Sequence, residues 1–97
     1  MVAVGGYHTA VVTVDGQLYT WGDDEYGQLG TGSTVNQLQP VPVSLPAPVT
    51  MVAVGSGNTA AVTADGQLYT WGYGGDGQLG TGSTENQLRP VPIALPA

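Results

Sequence analysis

This chain is written twice. Met1-Val2-Ala3-Val4-Gly5 returns as Met51-Val52-Ala53-Val54-Gly55, and YTWGDDEYGQLGTG at 19–32 returns as YTWGYGGDGQLGTG at 69–82. Residues 1–47 and 51–97 align without a gap; 13 paired positions differ and the other 34 of 47 are identical. A supersecondary unit repeated at this period cannot cover its own apolar faces, so it stacks on its neighbours as a solenoid or a propeller.

Each unit reads as four strands. Val2-Ala3-Val4 is a short apolar run closed by Gly5, and Thr9 to Val14 is β-branched. Asp15-Gly16, repeated as Asp65-Gly66, is the preferred two-residue hairpin turn, with positive φ expected at both positions. Gln17 to Trp21 alternates polar and apolar side chains, as a half-buried strand does. A long loop from Gly22 to Gln39 leads to Pro40-Val41-Pro42-Val43-Ser44-Leu45, whose alternate prolines place it at a sheet edge. Four antiparallel strands of this kind form one propeller blade. The expected fold is therefore all-β, with two blades per chain: 1–50 with its linker Pro48-Val49-Thr50, then 51–97.

Composition agrees. Gly (16) and Pro (7) suit tight turns, and the apolar fraction of 41% is too high for a disordered chain. Cysteine is absent, so neither a disulfide nor a thiolate metal site staples this chain. Seven acids face one base, Arg89, for a net charge of −6. That balance argues against nucleic acid and against an anionic membrane surface as partners. The first residues show no basic segment followed by an apolar core, so no signal peptide is read, and the apolar runs fall far short of a membrane span. The expectation is a soluble chain.

The string G-x-x-H-T-A (Gly5 to Ala10), D-G-x-L-Y-x-W-G (Asp15 to Gly22), Y-G-Q-L-G-x-G (Tyr26 to Gly32) and P-x-P-V resembles the regulator-of-chromosome-condensation type of propeller repeat. The second copy departs from it at Asn58 and Asp76, where the first has His8 and Tyr26. The resemblance implies a closed ring, commonly of seven blades, with Gly5, Trp21, Gly22, Gly27 and Gly30 and their counterparts Gly55, Trp71, Gly72, Gly77 and Gly80 as structural positions. It also implies that His8 bonds loop backbone, with Asn58 doing the same. It fixes no function, because chromatin-linked nucleotide exchange, ultraviolet-B reception and β-lactamase inhibition all occur among similar proteins. The first needs basic surface and the second a tryptophan cluster with arginines; this chain has a single arginine.

Two blades leave an apolar face open at each end, and the second copy stops three residues short of the period. Head-to-tail association closes such a unit into a ring. Two blades per chain give eight blades from four chains or six from three; the homotetramer is expected, with the trimer as runner-up. Near-identical copies without lysine or phenylalanine suggest a designed, consensus-like or recently amplified sequence.

Nine of the 13 differences lie at 6–8, 23–26, 35 and 39, read as connections on one rim. They define a candidate binding face of Tyr7, His8, Asp23, Asp24, Glu25 and Tyr26 in one blade, with Tyr73, Asp76, Glu85 and Arg89 in the next. Such aromatic and acidic loops suit a protein or a polyvalent ligand, as in an inhibitor-like binding module; the competing reading is loops that tolerate change. His8 beside Asp23, Asp24 and Glu25 could join a metal site, but neither the calcium-loop spacing nor a zinc ligand set is present, so none is expected. Catalysis is not expected either. There is no Cys or Lys nucleophile and no G-x-S-x-G elbow. Gly27 to Gly32 lacks the lysine and helix of a phosphate loop, so no cofactor is expected and its glycines serve turns.

Overall fold

The computed structural model describes residues 1–96. It holds two four-stranded antiparallel meanders. The first comprises β1 (Val2–Val4), β2 (His8–Val12), β3 (Leu18–Gly22) and β4 (Gln37–Val43); the second comprises β5 (Val49–Val54), β6 (Asn58–Thr63), β7 (Leu68–Gly72) and β8 (Gln87–Ile93). This is the expected all-β pair of blades. β4 and β8 lie at sheet edges, as their alternate prolines require. Each pairs with the third strand of its sheet through a register shift, between Thr20 and Gly22 and between Thr70 and Gly72. The strand limits differ from the sequence reading: β2 begins at His8, β3 ends at Gly22, and β4 starts at Gln37. The second sheet opens at Val49, so two residues read as linker are in a strand.

The hairpin turn also differs. Among the described residues only glycines have positive φ, in this turn Gly16 at 87° and Gly66 at 83°, so Asp15 and Asp65 do not take the left-handed conformation. The Gly16 amide donates to the Thr13 carbonyl at 3.0 Å and the Thr13 amide to the Gln17 carbonyl at 2.9 Å. That is a three-residue loop, Val14-Asp15-Gly16, with a bulge at the glycine. The Thr13 hydroxyl explains the choice: it donates to the Asp15 carboxylate and accepts from the Gln17 amide at 3.1 Å, and Thr63 likewise donates to Asp65. These bonds hold the Asp15 and Asp65 carboxyls below their ordinary pKa.

The core lies between the sheets. Ala10, Val12, Leu18 and Val43 of the first blade meet Val49, Val52, Ala61, Tyr69 and Trp71 of the second. Equivalent strands therefore bury opposite sides. β2 buries His8, Ala10 and Val12, whereas β6 buries Thr59, Ala61 and Thr63. The β1–β2 and β3–β4 connections share one rim, where the Asp23 amide donates to the Tyr7 carbonyl at 2.9 Å. The Asp-Gly loop and the linker share the other, where the Val49 amide donates to the Gly16 carbonyl at 2.9 Å.

Candidate functional site

The rewritten letters of the rim hang on an unchanged frame. The Thr20 hydroxyl donates to the Leu29 carbonyl and the Thr70 hydroxyl to the Leu79 carbonyl, at 2.8 and 2.7 Å. Asn36 Oδ1 accepts from the Asp24 amide and Asn86 Oδ1 from the Gly74 amide. Gln28 Oε1 accepts from the Tyr26 amide and Gln78 Oε1 from the Asp76 amide. The Thr bonds fix the unchanged Leu29 and Leu79, whereas the Asn and Gln bonds take the backbone amides of variable residues, so the frame itself does not depend on the side chains there.

Not every predicted face residue reaches solvent. Tyr7 (76% exposed) and Glu25 do, and they line a rim hollow of about 500 Å³ with Asp23, Tyr26, Asn36, Leu38 and Ser56. Asp76 and Glu85 are exposed on the second blade. Asp24 is fully buried: its carboxylate accepts from the Leu29 amide at 3.0 Å and from the Thr31 hydroxyl at 3.4 Å. Burial pushes the Asp24 carboxyl above its ordinary pKa against the pull of those bonds. It closes a loop and does not present a charge. The counterpart Gly74 has no room for a side chain, since a Cβ would stand 2.4 Å from the Glu85 carbonyl oxygen. Arg89 lies within β8 and not in a loop of its own blade, and its guanidinium sits over Gly32 in the β3–β4 loop of the other blade. Position 39, its counterpart, is likewise in a strand.

His8 is 2% exposed and faces the second blade. Its Nε2 lies 2.9 Å from Thr59 Oγ1, so its ring bonds a hydroxyl across the seam and not loop backbone. The tautomer follows from the network. The Thr59 hydroxyl donates its single proton to the Gln28 carbonyl at 2.7 Å, so Nε2 carries the proton that Thr59 accepts. His8 Nδ1 is then a bare lone pair, buried without a partner. Burial lowers the ring's pKa, with Asp23 pulling the other way. Among the described residues, no three of His, Asp and Glu gather closely enough to hold a metal ion.

The Gln28 carbonyl is the hub of this seam. It also accepts from the Trp71 indole Nε1 at 2.9 Å. Trp71 is fully buried, with its indole Nε1 only 2.8 Å from where a Cβ on Gly30 would stand. At the rim end, the Tyr26 and Tyr73 rings pack 5.0 Å apart at 59° above Gly57, whose added Cβ would stand 3.0 Å from the Tyr26 ring. Tyr26, Gly57 and Tyr73 are all rewritten positions, opposite Asp76, Tyr7 and Asp23. Sequence reading placed Tyr26 and Tyr73 on a ligand face; the structure packs their rings against each other at a tilt, with Tyr26 also lining the rim hollow. Gln28, Gly57 and Thr59 were not singled out, although the exchange of large for small at 7/57, 23/73 and 26/76 was a visible signal.

The model of the regulator of chromosome condensation (RCC1) repeat matches residues 15–62 and 65–97, and a second such model matches 49–78. The chain belongs to the RCC1 repeat family. Its blade pair superposes on Prp20p of Saccharomyces cerevisiae with a TM-score of 0.89 and 24% identity, over 98% of this chain and 25% of that one. Human WBSCR16 gives 0.87 and 30% identity, over 99% and 26%. Among curated relatives, the ultraviolet-B receptor UVR8 of Arabidopsis thaliana is 55% identical over 40 residues, 41% of this chain and 9% of its own length. The E3 ubiquitin-protein ligase HERC2 of Homo sapiens is 54% identical over 39 residues, 40% of this chain and 1% of its own length. This RCC1-type chain thus spans a quarter of the solved propellers and a small fraction of the curated relatives.

Proposed function

We propose that this RCC1-type chain is a propeller scaffold that completes its ring by head-to-tail association of its own copies and carries no catalytic activity. One observation carries this reading. The same tryptophan is fully buried in the second blade as Trp71 but only half-buried in the first as Trp21, because nothing packs on the first blade's outer face. Tyr69 and Tyr19 repeat the contrast, as do Val52 (4% exposed) and Val2 (61%). Apolar surface of this extent, matched residue for residue to a surface that is covered, calls for a cover. Propellers close with about 4–8 blades; of the even counts that two blades per chain allow, four copies with eight blades is the arrangement proposed, with three copies and six blades as the runner-up.

This reading carries none of the relatives' activities over to the blades. The partners of Prp20p, Gsp1p and histones, belong to a protein of which this chain covers a quarter; separately, one arginine among seven acids is a charge unsuited to a phosphate backbone. The rim hollow with Tyr7, Asp23 and Glu25 supports a second reading, a protein-binding face carried on the same scaffold. Light scattering during size-exclusion chromatography decides the first. The expected mass is four times 9.8 kDa; a single-chain mass at every concentration overturns the scaffold reading.

A further inference from the structure

The seam inside the chain is a worked copy of the seam between chains. In the first blade, the loop carrying Gly27, Gly30 and Gly32 lies against Leu88, Trp71 and Arg89 of the second: an added Cβ would stand 2.4 to 2.8 Å from each of these side chains. The counterpart loop at the far end is bare. A Cβ on Gly77 or Gly82 would meet nothing within 4 Å, and one on Gly80 only Ile93 at 3.6 Å. The partner this bare loop lacks is present at the other end of the molecule. Trp21 lines an apolar hollow of about 240 Å³ with Val11, Tyr19 and Pro40.

We propose that the bare loop of one copy seats in the Trp21 hollow of the next, with the Trp21 indole Nε1 donating to the Gln78 carbonyl across the contact. This rests on the self-association read above and fixes which faces meet. The occupant is a second copy because the internal seam already shows the two surfaces docked: Gln28 does for Trp71 what Gln78 would do for Trp21. The contact is heterologous, so each chain carries one donor face and one acceptor face. It also differs from the internal seam in a defined way. Asn58 takes the place of His8, and the rim gathers Asp76 of one copy with Tyr7 and Asp23 of the next where the internal rim has Tyr26, Gly57 and Tyr73.

Two full-length variants test it. Gly80→Asn keeps a residue that tolerates positive φ and fills the space reserved for Trp21, leaving the hollow intact. Val2→Glu places a charge on the hollow's face, where Val52 is covered in the internal seam, and leaves the loop intact. Each alone should run as one chain at a concentration where the wild type runs as a ring, at least 100-fold weaker in association. Mixed, they should form a two-chain species and no larger, because one good face of each remains. Either variant folding only in the mixture supports the same conclusion. Wild-type rings that persist in either variant, or a mixture that stays apart, overturn the proposed contact while self-association stands. A wild type that never exceeds one chain overturns both.

Discussion

Trp71 and Trp21 occupy the same place in the same sequence and live in different surroundings. Trp71 donates to a carbonyl and is sealed from water; Trp21 sits beside an open hollow. The contrast follows what stands next to each blade, an open side at Trp21 and a covered one at Trp71, while YTWG itself is unchanged. Blade sequence sets how a sheet folds, and the neighbour sets which of its residues are core. Truncation should separate the two. Trp71→Ala removes a buried indole from the internal seam and should cost about 3–5 kcal/mol of the chain's own stability. Trp21→Ala should cost well under half of that in a dilute single chain, yet abolish the ring. Urea unfolding at low concentration, beside masses at high concentration, reads both. Equal losses in the dilute chain would mean that the two sites are already alike without a neighbour.

His8 and Asn58 give a smaller contrast with a pH signature. The buried ring is neutral in the folded chain, its Nδ1 unpartnered and its pKa lowered by burial. A histidine in the unfolded chain titrates near about 6.5. The unfolded state therefore takes up a proton first as pH falls. Stability is complete above that value, drains as pH drops towards the lower folded pKa, and is level below it. Each pH unit between the two is worth about 1.4 kcal/mol. Asp24 acts with the opposite sign at lower pH, because its raised carboxyl favours folding in acid, so the comparison is between the wild type and His8→Asn. Denaturation midpoints measured from pH 7.5 to 5 should fall for the wild type and stay flatter for the variant. Parallel curves would show that His8 does not titrate on unfolding.

The fold was legible because the repeat, the β-branched runs and the alternate prolines each point to one local structure. The turn was misread for a chemical reason: the hydroxyls of Thr13 and Thr63 reward a loop in which the aspartate keeps negative φ. Rim placement could be worked out from strand direction alone. Side-chain direction could not, which is why His8 and Asp24 were read as surface and lie buried. Exchanging 23–26 for their counterparts as a block would therefore disturb the seam as well as the rim, removing the Asp24 bonds and the Tyr26–Tyr73 contact together. A probe of the rim as a binding face belongs at Tyr7 and Glu25.

The finest contrast lies between the two rims. Inside the chain, the tilted rings of Tyr26 and Tyr73 pack against each other over Gly57. At the proposed contact between copies, Asp76 faces Asp23 and Tyr7, and the cation of the internal seam, Arg89 over Gly32, is replaced by Gln39. Two carboxylates on exposed rims repel by at most about 1 kcal/mol in water, and salt screens them over roughly 10 Å at 0.1 M. Association of the wild type should then tighten a few-fold between low and moderate salt. Asp76→Asn should be tighter at low salt and respond less to added salt, as read by sedimentation equilibrium. The triple change Tyr7→Gly, Asp23→Tyr and Asp76→Tyr, which copies the internal rim, should be tighter still. Asp76→Tyr alone should weaken the contact, because the ring would enter space that Tyr7 fills and Gly57 leaves empty. If the single and triple variants behave alike, the two rims are not equivalent places and the comparison between them fails at that point.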